Sequence, residues 1–192
     1  MNDTLNLIKQ RRSLSTKQLN APGPDKQQLV EILTLASRVP DHGKLVPWRF
    51  VVIEGQARET LGNVMATAFK QSHPAADSEM LETEQQRFMK APVIVALVAR
   101  TMPHPKIPSW EQQLTVGAVA MNLLLVCEAA GFSGNWLTGW GAFDRRILNE
   151  LGLKPIEKLA GFIHIGTPAV ALAERSDRAR PDMADIISYY GE

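Results

Sequence analysis

Two adjacent arginines and a serine, Arg11-Arg12-Ser13, close the run L-I-K-Q-R-R-S-L-S over residues 7–15. A guanidinium offers a planar fork of N–H donors that meets a phosphate with two parallel hydrogen bonds, and a serine hydroxyl adds a short neutral donor. Set where an apolar helical turn gives out, the three form a candidate anion seat, although such a pair is also what a solvated charge cluster looks like. A second concentration of polar groups is P-D-H-G-K-L-V-P-W, residues 40–48, held between prolines and leading into a strand. His42 is its side chain of interest as a ligand contact, against the plainer reading of a surface histidine, and Trp48 reads as a core anchor. The third is G-F-S-G-N-W-L-T-G-W-G, residues 131–141, with four glycines that let backbone approach a flat ligand and a short strand at Trp136, Leu137 and Thr138.

Several chemistries are excluded. The glycine-rich run lacks the G-K-[ST] ending of a phosphate loop and the spacing of a dinucleotide fingerprint, and no G-x-S-x-G elbow occurs. The four histidines are scattered and Cys127 stands alone, so no metal site is expected. Cys127, beside Leu125 and Val126, reads as a buried thiol, and His164, inside L-A-G-F-I-H-I, as a satisfied structural histidine. With 21 Lys and Arg against 20 Asp and Glu, the chain has no electrostatic footprint for nucleic acid.

These groups need a scaffold. A chain of 192 residues, 45% apolar and 21% charged, is expected to be one globular domain over residues 1–192. Leu5, Leu7 and Ile8 predict a helix over residues 3–10 that ends on the Arg-Arg-Ser group. Asp25 with Gln28 makes a capping box for a second helix, whose stripe of Leu29, Ile32, Leu33 and Ala36 runs to about Arg38. A strand is expected at 50–54, a third amphipathic helix from Leu61 to Phe69, and a charge-laced surface helix at 80–89. The apolar run 93–99 predicts a strand covered on both faces, and the proline-rich stretch 102–108 a lid or rim. Residues 114–131 are apolar almost without a break, but Asn122 and Glu128 interrupt them, which predicts a fully buried helix and not a membrane span. In so small a chain a second copy would supply part of that helix's cover. Asp144 caps a further helix through Leu151, a strand follows at 159–165, and the charged tail from Ala173 is expected to embrace a partner as an added strand. The first residues carry no apolar signal core, which points to the cytoplasm.

The motifs R-R-S (11–13), R-V-P-D-H…P-W-R-F (38–50), A-P-V-I (91–94), P-S-W-E-Q (108–112), G-F-S-G-N-W (131–136) and G-F-I-H-I-G-T-P (161–168) run in order over nearly the whole chain. As a set they resemble the nitroreductase family of FMN-dependent NAD(P)H oxidoreductases, and its small members above all. The resemblance implies an α+β fold with a mixed central sheet flanked by helices, in an intertwined homodimer with FMN at the subunit boundary. It implies that Arg11 and Ser13, with Arg12 beside them, hold the FMN phosphate and ribityl chain, and that Arg178 or Arg180 adds a tail cation. Arg38 and His42 would reach the flavin from the partner chain, and Trp136, Leu137 and Thr138 would line its other side. The run Val126, Cys127, Glu128, Ala129, Ala130 and Gly131 would meet NAD(P)H.

The implied activity is transfer of a hydride from NAD(P)H through flavin N5 to an acceptor such as a nitroaromatic or quinone, in a ping-pong cycle. The cofactor carries such chemistry, so the lack of a catalytic acid, base or nucleophile is expected, and His42 or Lys44 would stabilise the reduced ring. Many relatives carry Gln where this chain has Val46, and Asn or Ser among the positions of His42, Gly43 and Lys44, departures that bear on the pocket walls. A flavin-binding sensor or carrier with little turnover, a reductase of unsaturated carbonyl compounds, and a dimeric scaffold without cofactor are the alternatives.

Overall fold

The computed structural model describes residues 2–191. Its centre is β3 (Val93–Ala99), with β5 (Lys158–Pro168) on one side and β2 (Trp48–Glu54) on the other. β4 (Ser133–Leu137) and the two-residue β1 (Leu19–Asn20) both pair with β5. Six of the seven β3 residues are buried, because helices cover both faces of the sheet. Val93, Val95 and Leu97 point into a core shared with α2 (Lys26–Ala36) and α5 (Ser109–Ala129). Ile94, Ala96 and Val98 point the other way, toward α3 (Gln56–Ser72), Phe88 and α6 (Arg145–Glu150). The period of two along one strand therefore feeds two cores, and each fully buried Val, Ile or Leu contributes about 1.5–3 kcal/mol.

All strand pairings among the described residues are antiparallel, where the resemblance led us to expect a mixed sheet. The cause lies in the connections. Between β2 and β3 the chain makes two helical traverses, α3 and α4 (Ser78–Gln85), so it re-enters the sheet at the end where it left.

α1 (Asp3–Gln10) forms where its spacing predicted, and Asn2 caps it by accepting a bond from the Thr4 N–H at 2.8 Å. The Asp25–Gln28 capping box of α2 is present, with both reciprocal bonds at 2.9 Å. Trp48 is buried, as read from the sequence. The expected surface helix at 80–89 is shorter and less exposed than its charges suggest: α4 stops at Gln85, and Glu84 and Phe88 are buried.

α5 is covered on one side only by its own chain. Eight of its residues are buried against α2 and the sheet, but Trp110, Leu114 and Met121 are exposed. It is apolar enough to cross a membrane by length and composition alone. The helix is apolar all round and one chain covers about half of it, the remainder being the part for which the sequence expected cover from a second copy. The stretch 102–108 is pinned rather than loose: buried Gln112 accepts from the Met102 N–H at 2.9 Å and donates to the Met102 and Ile107 carbonyls at 2.8 and 3.2 Å. The tail forms no strand among the described residues. Its regular pieces are short 3-10 turns at Leu172–Glu174 and Met183–Asp185, and it folds back toward the end of α1.

Candidate functional site

At Arg11 the backbone turns from helical to extended (φ −56°, ψ 129°), and the chain leaves α1 presenting Arg11, Arg12 and Ser13 on one side. Ser176, Arg178 and Arg180 of the tail come back over them, and the six side chains enclose a cavity of about 200 Å³. Arg11 Nη1 lies 3.4 Å from Ser13 Oγ. Arg12 donates to Asp177 at 2.5 Å and to the carbonyls of Lys9 and Arg11, while its Nε is buried without a partner. The Arg11 guanidinium holds its proton less tightly than usual, through burial first and then the crowding of Arg180, Arg12 and Arg178, with Glu128 opposing. Four cations around one small cavity are mutually repulsive, and an anion between them relieves that repulsion. The three residues singled out as a candidate anion seat thus border one cavity, and both tail arginines border it with them.

A second cavity, of about 290 Å³, is bordered by Thr16, Arg87, Phe88, Lys90, Leu137, Thr138, Gly139, Phe162 and His164. It lies next along the chain from the seat: Asn135 of β4 donates to the Leu14 carbonyl, and Thr16 follows two residues later. Leu137 and Thr138, singled out from the sequence, lie on this cavity's wall. Trp136 is part exposed and its Nε1 donates to the Ala160 carbonyl at 3.0 Å. Arg87 and Lys90 were not singled out from the sequence because they sit in a charge-rich stretch whose buried face was unreadable. Glu84 fixes Arg87 with two bonds (2.8 and 2.5 Å) and also accepts from Trp140 Nε1 at 2.9 Å.

His164 corrects one expectation. It is 3% exposed, but its Nδ1 has no hydrogen-bond partner, so it is not a satisfied core histidine; its ring lies parallel to that of Phe88 with centroids 6.4 Å apart. Burial pushes its pKa down to about 4. The unfolded chain binds this proton near pH 6.5 and the folded chain does not. The stability conferred by the neutral ring is therefore complete above pH 6.5 and lost as pH falls toward 4, by about 3 kcal/mol over the window. Melting curves of wild type and His164→Gln from pH 8 to 4 should diverge across that range, with the wild type falling more steeply; parallel curves would refute the assignment.

The run 126–131 does not form one site. Val126, Ala129 and Ala130 border a third cavity of about 340 Å³ with Ile32, Leu35 and Phe132 among its walls. Cys127 is fully buried and its thiol is pushed up to about 12 by that burial, with Glu128 adding to the effect. Glu128 turns the other way and pairs with Arg175 at 2.8 Å. Gly131 (φ +84°) ends α5 in the left-handed conformation, with Phe132 N–H bonded to the Cys127 carbonyl at 2.9 Å. Arg38 and His42 are exposed and border none of these three cavities; His42 Nδ1 lies 2.7 Å from Glu111 Oε2.

Known proteins show the same arrangement of chain. A profile described as the nitroreductase family matches residues 8–167. The chain belongs to the nitroreductase family. It is 32% identical over 190 residues to the Escherichia coli K12 protein named "Putative NAD(P)H nitroreductase YdjA", covering 98% of this chain and 100% of that one. A Haemophilus influenzae protein named "Putative NAD(P)H nitroreductase" is 31% identical over 188 residues, 97% of this chain and 99% of its own. The crystal structure of a nitroreductase-like family protein from Bacillus cereus superposes with a TM-score of 0.86 at 21% identity, over 100% of this chain and 98% of that one. The FMN-dependent nitroreductase NfnB of Mycobacterium smegmatis, solved in complex with NADPH, gives a TM-score of 0.74 at 18% identity over 96% of each chain. The match ends at residue 167, so the place of Ser176, Arg178 and Arg180 beside Arg11, Arg12 and Ser13 rests on geometry.

Val46 is held at φ +49°, a conformation that a β-branched residue adopts only under strain. Asp41 accepts its N–H at 2.8 Å and Arg100 donates to its carbonyl at 2.9 Å, which keeps it there. Val46→Asn, tolerant of that conformation, should relieve about 1 kcal/mol and raise the melting temperature by roughly 2–4 °C. A melting temperature that falls would refute strain at this position.

Proposed function

We propose that this chain is a cytoplasmic FMN-dependent oxidoreductase that takes a hydride from NAD(P)H and passes electrons to a small acceptor such as a nitroaromatic or quinone, in a ping-pong cycle. The observation that carries the reading is the convergence of Arg11, Arg12, Ser13, Ser176, Arg178 and Arg180 on one small cavity. The donors fit a phosphate monoester: guanidinium forks and hydroxyls surround the space, and buried Arg12 Nε still lacks an acceptor. Family membership, relatives named as NAD(P)H nitroreductases, and an FMN-dependent neighbour solved with NADPH support the same assignment.

When bound, FMN supplies a ring that accepts a hydride and gives the electrons up again. Arg11, Arg12 and Ser13 hold the phosphate end, and Trp136, Leu137 and Thr138 flank the ring. Arg87 and Lys90, beside Thr138 and Gly139, place positive charge where reduction adds negative charge, a role first assigned to His42 or Lys44. Within 126–131 the residues open to a nicotinamide nucleotide are Val126, Ala129, Ala130 and Gly131, because Cys127 is buried and Glu128 is engaged.

The chain acts as a homodimer in this reading. α1 has no buried residue and exposes Leu5 and Ile8, while α5 exposes Trp110, Leu114 and Met121, so a second copy has apolar faces to cover. Arg38 and His42, which border none of the three cavities described, then contribute to the partner's site. Purified protein should be yellow, bleach on anaerobic addition of NADH or NADPH, recover with menadione, and run at twice the chain mass in light scattering. Protein that takes up no added FMN would refute the reading, and FMN that bleaches without recovering on menadione would reduce it to a carrier.

A further inference from the structure

The chain's C-terminal tail reaches the anion seat through one buried ion pair. Arg175 and Glu128 have side chains 2% and 8% exposed, and Arg175 Nη1 lies 2.8 Å from Glu128 Oε2. Fully buried Ser133 donates to both Glu128 oxygens, at 3.1 and 3.3 Å, and Arg175 Nη1 lies 3.5 Å from the Arg12 carbonyl. The turn from α5 into β4, which carries Glu128 and Ser133, here meets a tail residue 47 positions beyond Glu128.

Glu128 is badly placed for its own helix. A carboxylate in the last turn faces the negative end of the helix dipole, and burial removes the water that would offset this. Arg175 answers both costs, and it lies one residue before Ser176 and three before Arg178, which border the seat. Beyond it the tail is held over the seat by Asp177, which bonds Arg12 and Arg180 at 2.5 and 3.0 Å, both pairs partly exposed. Exposed pairs hold little, and a buried pair broken on one side leaves a charge with no solvent.

We infer that Arg175, Glu128 and Ser133 form a clasp that makes the tail part of the phosphate seat, and that Arg175 is a positioning residue for selection of flavin phosphates over unphosphorylated flavins. The inference rests on the proposed FMN reading and deepens it. The clasp acts only through Ser176, Arg178 and Arg180, so its loss weakens whatever they touch and leaves ring binding alone.

The test measures dissociation constants for FMN and riboflavin, with trypsin digestion of the tail at the Arg178–Ala179 bond followed by mass spectrometry. Arg175→Met and Glu128→Gln should each weaken FMN about tenfold or more while riboflavin stays within about threefold, and should speed tail cleavage. The double variant should lose no more than either single one, because both break the same pair. Arg178→Gln/Arg180→Gln, with the clasp intact, should lower the FMN-to-riboflavin ratio as well. Equal loss of both flavins in the Arg175 and Glu128 variants would mark a purely structural pair and overturn the inference; so would an unchanged ratio with faster tail cleavage. Should Arg175→Met fail to fold, Glu128→Gln and the tail double variant decide between the same outcomes. Wild-type protein that binds FMN no better than riboflavin would instead sink the phosphate seat and the proposed function with it.

Discussion

Replacing Arg11 and Arg12 together by glutamine is expected to weaken FMN binding by a factor of about 100 or more while riboflavin binding changes less than about threefold. A hydrogen bond to a charged group contributes about 1.5–3 kcal/mol, and every 1.4 kcal/mol is tenfold in affinity. The seat holds the guanidiniums of Arg11, Arg12, Arg178 and Arg180, with Arg175 behind them, against the carboxylates of Asp177 and Glu128. A phosphate dianion leaves that balance still positive, so the loss of two cations falls on the phosphate alone. Salt should act the same way: the wild type loses FMN affinity as ionic strength rises, and the double variant loses less. Quenching of flavin fluorescence during titration measures both ligands. Equal weakening of FMN and riboflavin would show that the two arginines shape the fold near α1 and do not read the phosphate.

The sequence carried some of this site and hid the rest, for physical reasons. Arg11, Arg12 and Ser13 are contiguous, and a donor cluster at the end of a short helix can be read from residue types alone. The capping box of α2 and the doubly buried β3 are equally local, the first set by spacing of three residues and the second by an unbroken apolar run. The Arg175–Glu128 clasp spans 47 residues, and in the sequence Glu128 is merely one acid interrupting an apolar helix. Lys90 and Arg87 become pocket walls only because Phe88 between them is pulled fully into the core, a fact of packing that a charge-laced stretch conceals. His164 was read as satisfied from its place inside an apolar strand, but a strand pattern does not tell whether each side-chain nitrogen finds a partner. The extent to which α5 is buried could not be read either: a helix apolar all round specifies cover on every side without saying which chain provides it.

The walls of the second cavity depend on a close approach between two helices, and Gly62→Ala is expected to break it. A Cβ at Gly62 in α3 would lie 2.1 Å from the backbone carbonyl oxygen of Gln85 in α4, a contact that no side-chain rotation can relieve. The two helices must move apart, and overpacking of this kind costs about 3 kcal/mol, or roughly 6–12 °C in melting temperature for a domain of this size. The damage should not stay local. Gln85 ends α4, and the chain passes directly through the turn Gln86–Phe88 to Lys90, while Glu84 on the same helical end ties Arg87 to Trp140 Nε1. Displacing that end therefore shifts Arg87, Phe88 and Lys90 together, away from Thr138 and Gly139. The Gly62→Ala protein that survives at low temperature should bind FMN with a shifted visible spectrum, because the charges beside the ring have moved, while the phosphate seat at the far end keeps its preference for FMN over riboflavin. A variant that melts with the wild type would mean α3 and α4 sit farther apart than their packing indicates. One that loses the phosphate preference but keeps the spectrum would place Arg87 and Lys90 away from the ring.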